Sequence, residues 1–218
     1  MRSSKRGQVT LEFLFIFGLL TILLLYSVKT TTFSQGSPSV EDLRMQVAIE
    51  EKGLADTISN TISQVYAQGP GSKATSYVHL VYLRNVEYLK KAWPVQTPKV
   101  FITYGHLPGA SAVNGTYVLV INGTGTTAAV VSGGDKNVFL SPSMFQKDFV
   151  LNISVWNPHA DVTLDIVGSP STYHGLAIDP ATLPASLRIV VEWNPDIPNG
   201  WTYNSTAGEL RININPGG

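Results

Sequence analysis

Residues 9 to 28 constrain this 218-residue chain more than any other stretch. From Val9 to Val28 the run is apolar apart from Thr10, Thr21, Ser27 and a single carboxylate, Glu12. Phe13, Leu14, Phe15, Ile16, Phe17, Leu19, Leu20, Ile22, Leu23, Leu24 and Leu25 surround a helix of 3.6 residues per turn and leave it no polar face. A helix apolar on every side must be buried on every side, in lipid or among copies of itself. At 1.5 Å per residue the run reaches roughly 30 Å, the hydrocarbon thickness of a bilayer. Arg2, Lys5 and Arg6 precede it, and Lys and Arg favour the cytoplasmic side. The expectation is a single-pass membrane helix, N-terminus inside, with the rest of the chain extracellular.

Glu12 is the anomaly, because a charge inside a spanning segment is expensive and usually functional. The string around it is Gly7-Gln8-Val9-Thr10-Leu11-Glu12. It resembles the processing site of archaeal type IV pilin-like precursors, the class III signal peptides. The resemblance covers about 25 residues, counting the cationic leader and the apolar helix. It implies that a prepilin peptidase cuts between Gly7 and Gln8, removing the basic leader 1–7. Gln8 then becomes the first mature residue, with Thr10 third and Glu12 fifth. The cut creates an ammonium on Gln8, one helical turn from Glu12. The resemblance implies that Glu12 pairs with this amine, on its own or a neighbouring subunit, and sets axial register. The implied partners are further copies of the chain in a helical homopolymer, the peptidase, an assembly platform with its ATPase, and the membrane before assembly. The implied role is a surface filament used in adhesion. The alternatives are a minor pilin or pseudopilin-like subunit, and a signal-anchored extracellular binding domain that never polymerises.

The remaining chain divides by hydrophobic period. Residues 8–33 form the apolar helix, and 34–39 (Ser34-Gln35-Gly36-Ser37-Pro38-Ser39) interrupt it. Ser39 is placed as an N-cap for a second helix over 40–68. There Val40, Leu43, Val47, Leu54, Ile58, Ile62 and Val65 recur at helical spacing, while Glu41, Glu50, Glu51, Lys52, Ser59 and Gln64 take the opposite face. Gly53 in its middle suggests a bend or close packing, and Gly69-Pro70-Gly71 stops it.

From residue 72 to 218 the period is two. Strands are expected at Ser76–Leu83, Val100–Tyr104, Thr116–Ile121, Thr126–Val131, Phe149–Val155, Val162–Ile166, Leu187–Trp193 and Leu210–Ile214, with a short helix or turn at Asn85–Ala92. Asn122-Gly123-Thr124-Gly125 signals a hairpin, and so does Asn157-Pro158-His159-Ala160. The fold class is therefore α+β: a long apolar N-terminal helix, an amphipathic helix, and an all-β, sandwich-like extracellular head.

Chemistry is sparse. The chain has 15 basic and 15 acidic residues and no cysteine, which argues against nucleic acid and excludes thiolate metal sites and disulfides. His79, His106, His159 and His174 are far apart and never at i, i+4 spacing, so they do not read as a zinc site. Asp148, Asp161 and Asp165 read as the wet face of a sheet rather than a calcium loop. No phosphate loop or nucleophile elbow occurs. The chain is read as a non-enzyme without metal or cofactor. Sequons at Asn114, Asn122, Asn152 and Asn204 are candidate glycosylation sites. The segment from Asn194 to Ser205 is rich in Pro, Asn, Gly and aromatics and is a candidate contact surface.

Overall fold

The computed structural model describes residues 4–32, 38–106, 113–124, 127–130, 137–147, 155–165 and 170–216. The chain divides into two compact units, Met1–Leu43 and Arg44–Gly218.

In the first unit, helix α1 runs from Ser4 to Thr32. No proline interrupts this stretch, and its one central hydroxyl is absorbed by the helix itself: Thr21 Oγ1 donates to the Phe17 carbonyl at 2.8 Å. The Phe13 and Phe17 rings stack one turn apart, with centroids 6.5 Å apart.

The expected membrane span is corrected. Among the described residues, no helix is long and apolar enough to cross a membrane. The single-pass placement, with the rest of the chain outside the cell, depended on that span and is corrected with it.

Helix α2 runs from Pro38 to Gln68. It begins one residue before the expected cap, with a proline whose fixed φ suits a first turn. Val47, Leu54, Ala55, Ile58, Ile62 and Val65 are buried. Gly69, at φ 88°, ends the helix in the left-handed conformation, its N–H donating to the Val65 carbonyl at 3.2 Å. At Gly53 a Cβ would meet nothing within 4 Å, so that glycine marks neither close packing nor contact.

Strands follow in chain order: β1 (Lys73–His79), β2 (Pro98–Gly105), β3 (Gly115–Thr124), β4 (Thr127–Val130), β5 (Val138–Pro142), β6 (Trp156–Asn157), β7 (His159–Asp165), β8 (Pro170–Ile178), β9 (Ser186–Glu192), β10 (Gly200–Asn204) and β11 (Glu209–Asn213). A short helix α3 (Val86–Ala92) separates β1 from β2, and Asn85 caps it by accepting from the Glu87 and Tyr88 N–H groups.

Two sheets result, ordered β1-β9-β11-β10-β6 and β2-β8-β7-β4-β3-β5. The sandwich expectation is corrected here. Because β2 also pairs along its length with β3, the strands β2, β8, β7, β4 and β3 close on themselves as a small barrel. Closure leaves these strands no free edge along that circuit. Phe101, Tyr117, Leu119, Ile121, Ala160, Val162 and Ala177 alternate along their strands into one buried cluster, the barrel interior.

The expected hairpin around Asn157-Pro158 is also corrected. Residues 148–154 lie outside the described ones. β6 joins the other sheet, parallel to β10, while the antiparallel partner of β7 is β8.

α2 reaches both sheets. Thr61 Oγ1 meets Ser76 Oγ of β1 at 2.9 Å. Ser59 Oγ donates to the Ser141 carbonyl of β5 at 2.6 Å and accepts from the Thr116 N–H of β3 at 3.2 Å. Ser59 and Glu51, expected on the wet face, are therefore buried: a helix touching two sheets covers a wider arc than a single stripe. A chain of rings continues this junction. Trp193 stacks on Tyr66 (5.5 Å), Tyr66 meets Phe145 (5.4 Å), Phe145 meets Tyr104 (6.2 Å), Tyr104 meets Trp201 (5.9 Å), and Trp201 meets Trp156 (5.1 Å). Each such pair adds roughly 0.5–1.5 kcal/mol beyond area burial.

Glu50, one residue before the buried Glu51, pins the turn between β1 and α3. Its carboxylate accepts from the N–H groups of Val81, Tyr82 and Leu83 at 2.7–3.0 Å. Charge-assisted bonds of this kind contribute about 1.5–3 kcal/mol, toward the low end here because the group is half exposed. Glu50→Ala is expected to lower the melting temperature by about 3–6 °C and to speed amide exchange at residues 81–83. Unchanged exchange there would show that the turn does not depend on Glu50.

Candidate functional site

The residues singled out around the N-terminus lie on α1. Its backbone carries Lys5, Arg6, Gly7, Gln8, Thr10 and Glu12, and puts Gln8 and Glu12 at i, i+4. Their side chains, and Arg2 altogether, lie outside the described residues. From Phe13 onward every large apolar side chain of α1 is exposed within the chain, Phe13, Phe15 and Ile22 each at 69%. Gly18 opens a notch on this surface, lined by Leu14, Phe15, Leu19 and Ile22. A missing Cβ on an apolar helix lets a neighbouring helix approach closely.

The sequons differ in surroundings. Asn114 is 7% exposed, its amide nitrogen donating to the Gln146 carbonyl at 3.1 Å, so it is not a surface acceptor for a glycan. Asn122 is half-buried, accepting from the Thr97 N–H and hydroxyl, both at 3.0 Å. Asn204 is exposed at the end of β10, where its side chain accepts from the Thr206 N–H of the turn to β11 at 3.0 Å. Asn152 lies outside the described residues. The Asn194–Ser205 segment does not present its aromatics outward: Trp201 is fully buried and Tyr203 nearly so. Its turn is held by Asn213, whose side-chain nitrogen donates to the carbonyls of Ile197 (2.7 Å) and Pro198 (3.0 Å).

A cluster missed in the sequence stands on β7 and β8. Ala160 and Val162 point into the barrel, so His159 and Asp161 share the outer face. Asp161 lies directly opposite His174 in the antiparallel register. His159 Nε2 is 2.8 Å from Asp161 Oδ1, and His174 Nδ1 contacts the same oxygen. The two imidazole rings stack with centroids 5.8 Å apart. Thr103 Oγ1 donates to the His174 carbonyl at 2.7 Å, fastening β8 to β2 beside the cluster. His79, at the end of β1, and His106, after β2, belong to neither strand. Asp148 and the side chain of Asp165 lie outside the described residues. The available signal was His159-x-Asp161, an i, i+2 pair on a strand.

The second missed residue is Glu51. It is fully buried, and neither carboxylate oxygen finds a hydrogen-bond partner of good geometry. Burial pushes its pKa well above the ordinary carboxylate value, and the nearby Val120 backbone offsets only part of this.

No family model matches the chain, and neither a curated protein nor a solved structure matches it.

Proposed function

We propose that the chain is a structural subunit that polymerises through α1, in the manner of the archaeal type IV pilin-like proteins its N-terminal string resembles. The observation that carries this reading is the exposure of α1 on all sides from Phe13 to Val28. A single helix cannot bury such a surface on itself. Packing it among copies removes it from water at about 25 cal/mol per Å². Contacts between unlike faces of identical subunits do not close and so build a filament. Cleavage between Gly7 and Gln8 by a prepilin peptidase supplies the ammonium that Glu12 needs in such an interior, where an unpaired carboxylate costs several kcal/mol. An assembly platform and its ATPase complete the set of partners. The role is attachment by a filament, without catalysis.

Electron microscopy of producing cells tests this. Wild-type filaments are expected, with the chain in them beginning at Gln8. Leu20→Arg buries an unpaired cation in the bundle and is expected to reduce filament number by more than about tenfold. Glu12→Ala is expected to deplete filaments while leaving cleavage intact. Unchanged filaments from Leu20→Arg, or chains that begin only at Met1, would overturn the proposal.

A further inference from the structure

We propose that His159, Asp161 and His174 form a binding site for one first-row divalent cation of the zinc class on the outer face of the barrel. The site belongs to the second unit and does not depend on what α1 does. Two imidazoles and one carboxylate are donors suited to zinc and its neighbours, whereas calcium and magnesium prefer oxygen alone. The three donor atoms lie within 4.8 Å of one another. A tetrahedral ion with bonds of about 2.0–2.1 Å holds its donors about 3.3 Å apart, within reach by side-chain adjustment.

The backbone that carries them is fixed. β7 and β8 pair continuously from His159↔Leu176 to Asp165↔Pro170, and Thr103 ties His174 to β2. His159 and Asp161 share a face by the strand period, and the register sets His174 against Asp161.

The way the three groups meet points to a ligand. Both ring nitrogens converge on one carboxylate oxygen, Asp161 Oδ1. His159 Nε2 is buried and makes no hydrogen bond, although that oxygen is only 2.8 Å away. A cation placed between them takes a lone pair from each nitrogen and gives the buried Nε2 a partner. Among the described residues, no fourth His, Asp or Glu joins the group. Asp161 is 33% exposed, so water can complete a tetrahedron.

The test is titration of the full-length, metal-stripped protein with zinc chloride by calorimetry, and with cobalt(II) by visible absorption. One ion per chain is expected, with the intense visible bands of tetrahedral cobalt and a rise in melting temperature on zinc addition. His174→Gln and Asp161→Asn should each weaken zinc binding by more than about 100-fold, beyond the loss of a merely supporting residue. His79→Gln should leave it unchanged. Absence of heat and of a cobalt spectrum in the wild type, or undiminished binding in His174→Gln, would overturn the site. Should either variant fail to fold, the wild type still decides: zinc is expected to protect His159 and His174 from diethylpyrocarbonate, and equal modification with and without zinc would overturn it.

Discussion

Replacing Gly115 by alanine is expected to lower the melting temperature by about 6–12 °C. Gly115 opens β3 opposite Pro142 of β5. A Cβ there would lie 2.1 Å from the Ser141 carbonyl oxygen and 2.8 Å from Leu140 Cδ1. Leu140 can rotate, but a backbone oxygen in a ladder cannot. β5 must therefore withdraw from β3, and the same Ser141 carbonyl holds Ser59 of α2 at 2.6 Å. Overpacking at a site this constrained costs about 3 kcal/mol, and a unit of this size loses about 2–4 °C per kcal/mol. Gly53→Ala is the control. It lies within α2, where an added Cβ meets nothing within 4 Å, and alanine is the better helix former by about 0.8–1.0 kcal/mol. Calorimetry of both variants should show opposite shifts. A melting temperature for Gly115→Ala within a degree or two of wild type would mean that β3 and β5 are not so closely joined.

Glu51→Leu is expected to stabilise the protein, and by more as pH rises. Burial holds the folded-state pKa of Glu51 well above its ordinary value, and the nearby Val120 backbone offsets only part of this. Below the unfolded pKa, about 4.3, the carboxyl is protonated in both states and costs nothing through ionisation. Above it, the unfolded chain ionises while the folded one resists. The folded state binds more protons, so stability falls with rising pH, by up to about 1.4 kcal/mol per unit, until pH passes the raised folded value. Leucine removes this dependence together with the cost of an unsatisfied polar group, about 1–3 kcal/mol. Urea unfolding of wild type and variant from acidic to neutral pH should give curves that diverge upward through this window. Parallel curves would place the carboxylate in contact with solvent or a cation.

The same residue shows where a sequence stops being informative. The spacing of Val47, Leu54, Ile58, Ile62 and Val65 identifies the buried stripe of α2, because a helix of fixed period facing one neighbour repeats its apolar residues regularly. Glu51 and Ser59 lie off that stripe and read as solvated. They are buried because α2 meets β1 on one side and β3 with β5 on another, which no local period encodes. Glycine behaves similarly. Gly53 and Gly115 are equivalent as letters, yet one has open space where the other has a carbonyl oxygen.

The strands divide along the same line. β2, β9 and β11 announce themselves by alternation, whereas Asn122-Gly123-Thr124, which reads as a turn, continues β3 opposite Ala129, Ala128 and Thr127 of β4. β8 does not announce itself, because Pro170-Ser171-Thr172-Tyr173-His174-Gly175 lacks an apolar alternation, and β10 is hidden in a stretch rich in Pro, Asn and Gly. Among the described residues three pairings are parallel, β6 with β10, β11 with β9, and β4 with β7. Parallel neighbours are joined by long connections, so no short-range motif identifies them.

The apolar character of α1, the cations before it and the Gly7–Glu12 string are covalent facts, readable without a fold, and the filament proposal starts from them. The helical run of α2 and the change to a period of two after Gly71 are equally local, since each follows from how often apolar side chains return to one face. Barrel closure, the burial of Glu51 and the meeting of His159 and Asp161 with His174 are decided by register. A shift of one residue between β7 and β8 would turn His174 into the barrel and move it away from Asp161. That register is set by the packing of Phe101, Leu119, Val162 and Ala177 from four separate strands. Chemistry that depends on a cross-strand pair therefore appears only once the tertiary core has chosen which residues stand opposite one another.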